Sequence, residues 1–441
     1  MTEEVKIQRI IDIIKNGEKA PNRQAIGAEF EHIVVDGNSF DSVNYYQEKG
    51  IESILKELQR KGYDPIKEGS YLVGLEKPEG VITLEPGGQL ELSVPPSYSL
   101  RQIDEGYVGF LHEVLPILED NNQLLLALGY HPKTSIKDIP FNPKKRYEYM
   151  SNYLKNTGTH AHNMMKGTAA IQTAIDYTSE EDFIKKFRVA NFLSPVLALV
   201  SDNSPIFEGE VYENNSIRSV IWENTDKQRS GTVKGVMDQT FGYREYAQYI
   251  LGVPPILFIK DGKYLPTGNM TTSQVMGEND LTEDEVEHLL TMVFPDVRAK
   301  RYVEIRMGDS LPYPLNISYI ALIKGIFYHQ GNLDRLYNLS LDVTDENLAK
   351  YKVDMIQFGF EATFMDEKIG AFIQQLMDMA EKGLPTEETL YLAPLKDLLA
   401  KSQNPAMVSK EMVKTEGVKG VLWTAQNHII RREHSAGKEV I

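Results

Sequence analysis

Three stretches far apart in the chain each set a glutamate within apolar, strand-like sequence: residues 26–31 (Ile-Gly-Ala-Glu-Phe-Glu), 82–92 and 302–307. Successive side chains of an extended strand point to opposite faces, so Glu29 and Glu31 share one face, as do Gln89 with Glu91 and Glu304 with Arg306. Taken alone, the first pair could belong to an edge strand showing two glutamates to water. Together with Glu85, Glu91 and Glu304 it describes carboxylates gathered on a sheet surface, which is costly unless cations compensate them. Donors that are all oxygen suit a hard ion, Mg²⁺ or Mn²⁺. The pattern points to a metal-dependent enzyme.

At 441 residues, with no stretch resembling a linker, the chain is expected to form a single catalytic domain spanning 1–441. Its 47 Lys and Arg against 63 Asp and Glu give a net charge of −16, which excludes a binder of duplex nucleic acid that must neutralise phosphates in bulk. Small anionic substrates would have to be drawn in by local arginines and metal ions. Without cysteine there is no disulfide-linked dimer, thiolate chemistry or sulfur-ligated metal. The start, Met1-Thr2-Glu3-Glu4-Val5, has no basic segment leading into an apolar one, and no apolar run approaches the roughly 18 residues of a membrane span. A soluble cytoplasmic protein is the expectation.

Helical spacing of apolar residues predicts helices over 3–16, 44–61 and about 100–121. The stretch 71–93 alternates and turns at 77–80 and 86–88, as antiparallel strands joined by short turns do. Strands are expected at 123–130 and 169–176, the latter with Gln172, Ala174 and Asp176 on one face. Capping boxes at 178–181 and 282–285 predict helices running toward Val200, kinked at Pro195, and to about Thr291. From Leu315 onward the pattern is helical apart from loops near Gly331, Gly383 and Pro405. Strands and helices are mixed without regular alternation, which predicts an α+β fold with a largely antiparallel sheet.

The run 216–231 gathers Arg218, Trp222, Thr225, Asp226 and Arg229. Arginine forks suit bidentate contacts to carboxylate or phosphate, and Arg306 would bring positive charge beside Glu304. The bland alternatives are a solvated loop around a buried Trp and a structural ion pair. The pair His160 and His162 lacks a third soft ligand and reads as hydrogen-bonding histidines. Neither a P-loop nor a Gly-x-Gly-x-x-Gly turn is present, so a nucleotide would be held in another way.

The order of these motifs resembles that of the plant-type glutamate–cysteine ligases, within the glutamine synthetase-like carboxylate–amine ligases. The resemblance covers about 22–330 and rests on Gly27-x-Glu29-x-Glu31, the run Leu84 to Ser93, Arg146-Tyr147-x-x-Met150, Met164-Met165, Gln172, Asn203-Ser204-Pro205, the 216–231 run, 294–298, and Glu304 with Arg306, Asp309 and Pro314. It implies a curved, mainly antiparallel sheet forming an active-site funnel with helices outside, a ligase core at about 22–330 and a mostly helical part at about 331–441. The implied reaction is ATP-dependent joining of the L-glutamate γ-carboxylate to the L-cysteine amine through γ-glutamyl phosphate, the first step of glutathione biosynthesis. Glu29, Glu31, Glu85, Glu91 and Glu304 would be metal ligands, with Gln172 near where the wider superfamily places a histidine. Arg306, Arg218 and Arg229 would be catalytic, and Gln89, Trp222, Thr225 and Asp226 would bind substrate or nucleotide. Many relatives carry an asparagine where this chain has Ala174, which leaves open a related ligase joining glutamate to another amine. A glycoside hydrolase with paired carboxylates and a non-catalytic nucleotide sensor are the readings from other classes.

Overall fold

The computed structural model describes residues 1–427. The end of the C-terminal part expected to be helical, 428–441, lies outside the described residues. The main sheet has nine strands: β1 (Ile26–Asp36), β2 (Asp64–Glu68), β3 (Tyr71–Lys77), β4 (Gly80–Leu84), β5 (Leu90–Ser97), β6 (Gln123–Leu126), β7 (Ala170–Ile175), β8 (Val297–Ala299) and β9 (Val303–Asp309). They lie in the order β8-β9-β7-β1-β5-β4-β3-β2, with β6 paired to the far end of β1. Every pairing in this sheet is antiparallel, so the α+β expectation holds.

Period-two patterning decides which face is charged. Ala28 and Phe30 on β1, Leu90 and Leu92 on β5, Ile171 and Ile175 on β7, and Val303 and Ile305 on β9 are all buried in the main core. Helices cover that face. Helix Leu100–Asp120 brings the Tyr107 ring to 4.5 Å from Phe30, and helix Leu315–Phe327, apolar except at Asn316, Ser318 and Lys324, is buried at every position. The alternate residues therefore face the other way, and register aligns them: Glu29 opposite Gln172, Glu31 opposite Glu91, Glu91 opposite Thr83, Glu304 opposite Ala174. A second, smaller apolar cluster, including Tyr147, Met150, Met164, Ile221 and Phe294, stands over this charged face and encloses it.

The turn between β4 and β5 sets the position of Glu85. The Glu85 N–H donates to the Gln89 carbonyl at 3.0 Å and the Gly88 N–H to the Glu85 carbonyl at 2.8 Å. Gly88 has φ +89°, and a Cβ on Gly87 would sit 2.5 Å from the Lys166 carbonyl oxygen.

Several boundaries differ from the sequence expectation. The helix predicted from 44 begins only at Ile51, with Gly50 as its N-cap, and Tyr46 is exposed. At 178–181 the cap is Ser179, whose hydroxyl accepts from the Asp182 N–H, one residue later than the predicted box. The expected kink at Pro195 is a break into Glu180–Phe192 and Ser194–Val200, because proline favours the first turn of a helix. The same preference makes Pro405 the start of helix Pro405–Glu416 rather than a loop, and Gly331 lies within helix Gln330–Ser340. The Thr282 box forms as predicted, with Thr282 and Glu285 capping each other.

Gly87→Ala should lower the unfolding free energy by about 1–3 kcal/mol, the usual cost of forcing backbone apart in a packed turn. Denaturant titration checks this; an unchanged midpoint would contradict the close approach to Lys166.

Candidate active site

The charged face of the sheet and the smaller apolar cluster enclose a cavity of about 330 Å³. Glu29, Glu31, Glu85, Glu91, Gln89 and Gln172 line it from the sheet and its β4–β5 turn, and Arg146, Arg218, Arg298, Arg306 and Trp222 also line it. A neighbouring cavity of about 200 Å³ shares Glu29 and Gln172 and adds Ala25, Gly27, Val94, Pro96, Ala174, Asp176, Tyr302 and Glu304.

The carboxylates are mutually uncomfortable. Burial, then Glu85, pushes Glu31 up to about 8, against the pull of Arg218 and of the Ala170 N–H that donates to it at 2.8 Å. Burial, with Glu29, Glu85 and Glu31, raises Glu91 well above the ordinary carboxylate range, although the Thr83 hydroxyl donates to it at 2.5 Å. Burial and Glu304 raise Glu29. Acids whose ionisation is disfavoured by burial in the free protein are a donor set suited to a hard divalent cation, whose charge would favour their ionised form. Even so, no three of the described acidic or histidine side chains stand close enough to hold one ion as they are placed. The register brings the set together on one face without closing it into a coordination shell.

Glu304 differs from the other four. Arg298 Nε lies 2.7 Å from its Oε2 and Arg306 3.0 Å from the same oxygen, while Lys300 Nζ is 3.0 Å from Oε1 in a charge contact without hydrogen-bond geometry. Burial opposes ionisation, but Arg298, Lys300 and Arg306 together hold Glu304 well below its usual range. In this geometry it is the counter-ion of three cations, and it faces the neighbouring cavity rather than the first. Arg306 also donates to the side-chain oxygen of Gln172, fixing Gln172 between the strands.

The 216–231 run divides. Arg218 and Trp222 lie on helix Ile217–Glu223 and reach the cavity, with the guanidinium carbons of Arg218 and Arg306 5.5 and 5.7 Å from the Trp222 ring centroid. Arg218 is held from behind by donating to the Arg306 carbonyl at 2.9 Å. Arg229 does not reach the cavity and corrects the expectation of a catalytic role. Fully buried, it spends its donors on Asp226 (2.7 Å), the carbonyls of Pro254 and Met292 (2.7 and 3.0 Å) and the Tyr153 hydroxyl (2.9 Å). Asp226 is thus occupied by Arg229, and Thr225 donates to the Ile221 carbonyl at 2.8 Å, so neither lines the cavity. Gln89 borders the cavity but its amide is committed to the fold: Nε2 donates to the Thr168 carbonyl at 2.7 Å and Oε1 accepts from the Gly87 N–H at 2.8 Å. His162 pairs with Ser151 at 2.9 Å and His160 with Thr159 at 2.9 Å, so neither acts as a chelate.

Sequence reading assigned no site role to Arg146, Tyr147, Arg298, Lys300 or His288. Four of these stood within or beside runs already singled out, but nothing in spacing alone says which member of a run turns inward. Tyr147 donates to the Leu84 carbonyl at 2.9 Å and so supports the Glu85 turn.

Comparison with known proteins fits this geometry. The model of the family described as glutamate-cysteine ligase family 2 (GCS2) matches residues 25–423. The chain belongs to that family. Among its relatives are the chloroplastic glutamate–cysteine ligase of Medicago truncatula, 32% identical over 392 residues (87% of this chain, 76% of that protein), and that of Arabidopsis thaliana, 31% identical over 429 residues (94% and 81%). In fold the chain is similar to the glutamate–cysteine ligase of Francisella tularensis in complex with AMP (TM-score 0.54, 13% identity, 95% of each chain). It is also similar to a bifunctional glutathione synthetase from Pasteurella multocida (TM-score 0.51, 11% identity, 98% of this chain and 55% of that one). The relatives count against the expectation of a cytoplasmic location: those of Medicago, rice and Arabidopsis are named as chloroplastic proteins. Composition near the first residue was too slight a basis for a compartment.

Two outcomes test the site. Arg229→Met should cost about 3–5 kcal/mol, as expected when a buried ion pair loses one partner, whereas Arg218→Met should leave the fold intact; equal losses in denaturation would refute the division. The raised Glu29, Glu31 and Glu91 bind protons more tightly folded than unfolded. Stability of the metal-free protein should therefore fall as pH rises from about 4.5 to about 8, and added Mg²⁺ should raise the melting temperature more at pH 8 than at pH 6. A Mg²⁺ effect independent of pH would contradict this.

Proposed function

We propose that this protein joins the γ-carboxylate of L-glutamate to the amine of L-cysteine, consuming ATP and forming γ-glutamyl phosphate on the way. The product is γ-glutamylcysteine, and the reaction is the first step of glutathione biosynthesis. A carboxylate is a poor electrophile, so it first attacks the γ-phosphate of ATP and releases ADP; the amine then displaces phosphate from the acyl phosphate. The observation that carries this reading is the opposition of a carboxylate-lined sheet face and a set of arginines across one cavity, in a chain of the glutamate-cysteine ligase family.

The two cavities divide the substrates. Arg146 and Arg218 suit the carboxylates of the two amino acids, and Trp222 keeps the Arg218 and Arg306 guanidiniums in place by stacking. The second cavity, with Ala25, Gly27, Val94, Pro96, Ala174 and Tyr302, offers small apolar surface to a flat base. Phosphates cross between the two at Glu29 and Gln172, where Arg306 is fixed to meet the transferring group. Glu29, Glu31, Glu85 and Glu91 are the residues that would hold Mg²⁺ or Mn²⁺, which when bound neutralises phosphate charge, whereas Gln172 spends its side-chain oxygen on Arg306. Glu304 orients Arg298, Lys300 and Arg306 around that junction.

The part after residue 330 belongs to the same catalytic unit. Lys352, on helix Asp345–Phe358, pairs with Asp296 and lies 3.2 Å from Glu223. It thereby ties helix Ile217–Glu223 to the segment leading into β8, the two elements that carry Arg218 and Arg298.

ADP release measured with glutamate fixed and the amine varied, followed by mass spectrometry of the product, tests the reading. L-cysteine should be the preferred amine and γ-glutamylcysteine the product. Preference for another amine would replace the acceptor, and ADP release that does not require glutamate would remove the ligase. Arg306→Ala should lower kcat by about 100-fold or more with little change in the KM for glutamate; the reverse split would make it a substrate clamp.

A further inference from the structure

The amide-forming half of such a reaction needs something the carboxylates and arginines do not supply. Amino acids carry their amine as ammonium, which has no lone pair with which to attack. His288 lines the main cavity beside Arg146, Thr291 and Phe294, near the end of helix Glu283–Leu290. Its Nε2 is shielded from bulk water and has no hydrogen-bond partner. The Thr291 hydroxyl donates to the His288 carbonyl at 2.7 Å, so Thr291 presents only its lone pair to Nδ1, 3.5 Å away. That assigns the ring hydrogen to Nδ1 and leaves the lone pair on Nε2. Burial, then the Arg146 charge, lowers the imidazole to about 4, so the free ring is neutral at physiological pH. The other cation at this wall, Arg298, donates to the carbonyls of Thr291 and Val293, each at 3.2 Å, and holds the segment following His288. A buried acceptor left without a partner is costly unless a ligand satisfies it.

We propose that His288, through Nε2, accepts a proton from the attacking amine as the amide forms. This rests on the ligase reading above. The ammonium gives one proton to His288 Nε2, which passes it to water; the lone pair so freed forms the C–N bond at the acyl carbon while the C–O bond to phosphate breaks with its electron pair leaving on phosphate. The departing phosphate takes the second proton from the acyl-bound nitrogen. Hydroxylamine arrives with its lone pair free and needs only that second transfer. Substrate carboxylate pairing with Arg146 would remove the charge that depresses the ring.

The test compares two nucleophiles at saturating glutamate and ATP: L-cysteine, which arrives as an ammonium, and hydroxylamine, which is largely uncharged at neutral pH. His288→Gln should lower γ-glutamylcysteine formation by about 100-fold or more. The same variant should form γ-glutamyl hydroxamate at close to the wild-type rate and retain glutamate-dependent ADP formation. His288→Asn, whose amide N–H can keep the Thr291 contact, should give the same split if the Gln variant fails to fold. Equal losses with both nucleophiles, or an unaffected cysteine reaction, would overturn the assignment. Wild-type protein that forms no ADP with glutamate would overturn the ligase reading instead.

Discussion

Repulsion among carboxylates on one face of an antiparallel sheet is the constraint on which this structure turns. Glu29, Glu31, Glu85 and Glu91 are held together by strand register and by the β4–β5 turn, and at Glu29, Glu31 and Glu91 burial withholds the solvent that would screen them. Burial and neighbouring carboxylates raise Glu31 and Glu91, so the free protein stores an unmet demand for positive charge. Arginines lie at the same cavity, but the nearest of them are already engaged: Arg298 and Arg306 by Glu304, and Arg218 by a backbone carbonyl. A site that keeps both signs close yet incompletely paired is suited to a polyanion brought in with cations. ATP fits that description.

Much of this was written in the period-two pattern. Apolar residues at 28, 30, 90, 92, 171, 303 and 305 force the intervening glutamates onto one surface, and of the registers that keep those residues inside, the one adopted sets Glu31 opposite Glu91. The arginine run was not legible in the same way. Arg218, Trp222, Thr225, Asp226 and Arg229 are near neighbours in sequence, but the short helix ends at Glu223 and the chain turns, so Arg229 is directed into carbonyls and Asp226 instead of the cavity. Composition marks both arginines as anion binders, and only the turn separates them.

Glu304 shows a related ambiguity. Its strand position was read correctly, and it does face the charged side with Arg306. Its partners Arg298 and Lys300 come from the adjacent strand β8 and the turn that follows it, and a register across a hairpin is needed to see that three cations meet one carboxylate. His288 was hidden for a different reason. It occupies an ordinary position on an amphipathic helix, and its interest lies in an unpartnered Nε2, which no sequence pattern encodes.

Mn²⁺ binding, followed by electron paramagnetic resonance in the presence of a non-hydrolysable ATP analogue, tests the central claim most directly. The account predicts tight Mn²⁺ binding by the wild-type protein that is lost or greatly weakened in Glu31→Gln and Glu91→Gln, with both variants still folded. Undiminished Mn²⁺ binding in both would show that these buried acids are not what grips the metal, and the account would fail.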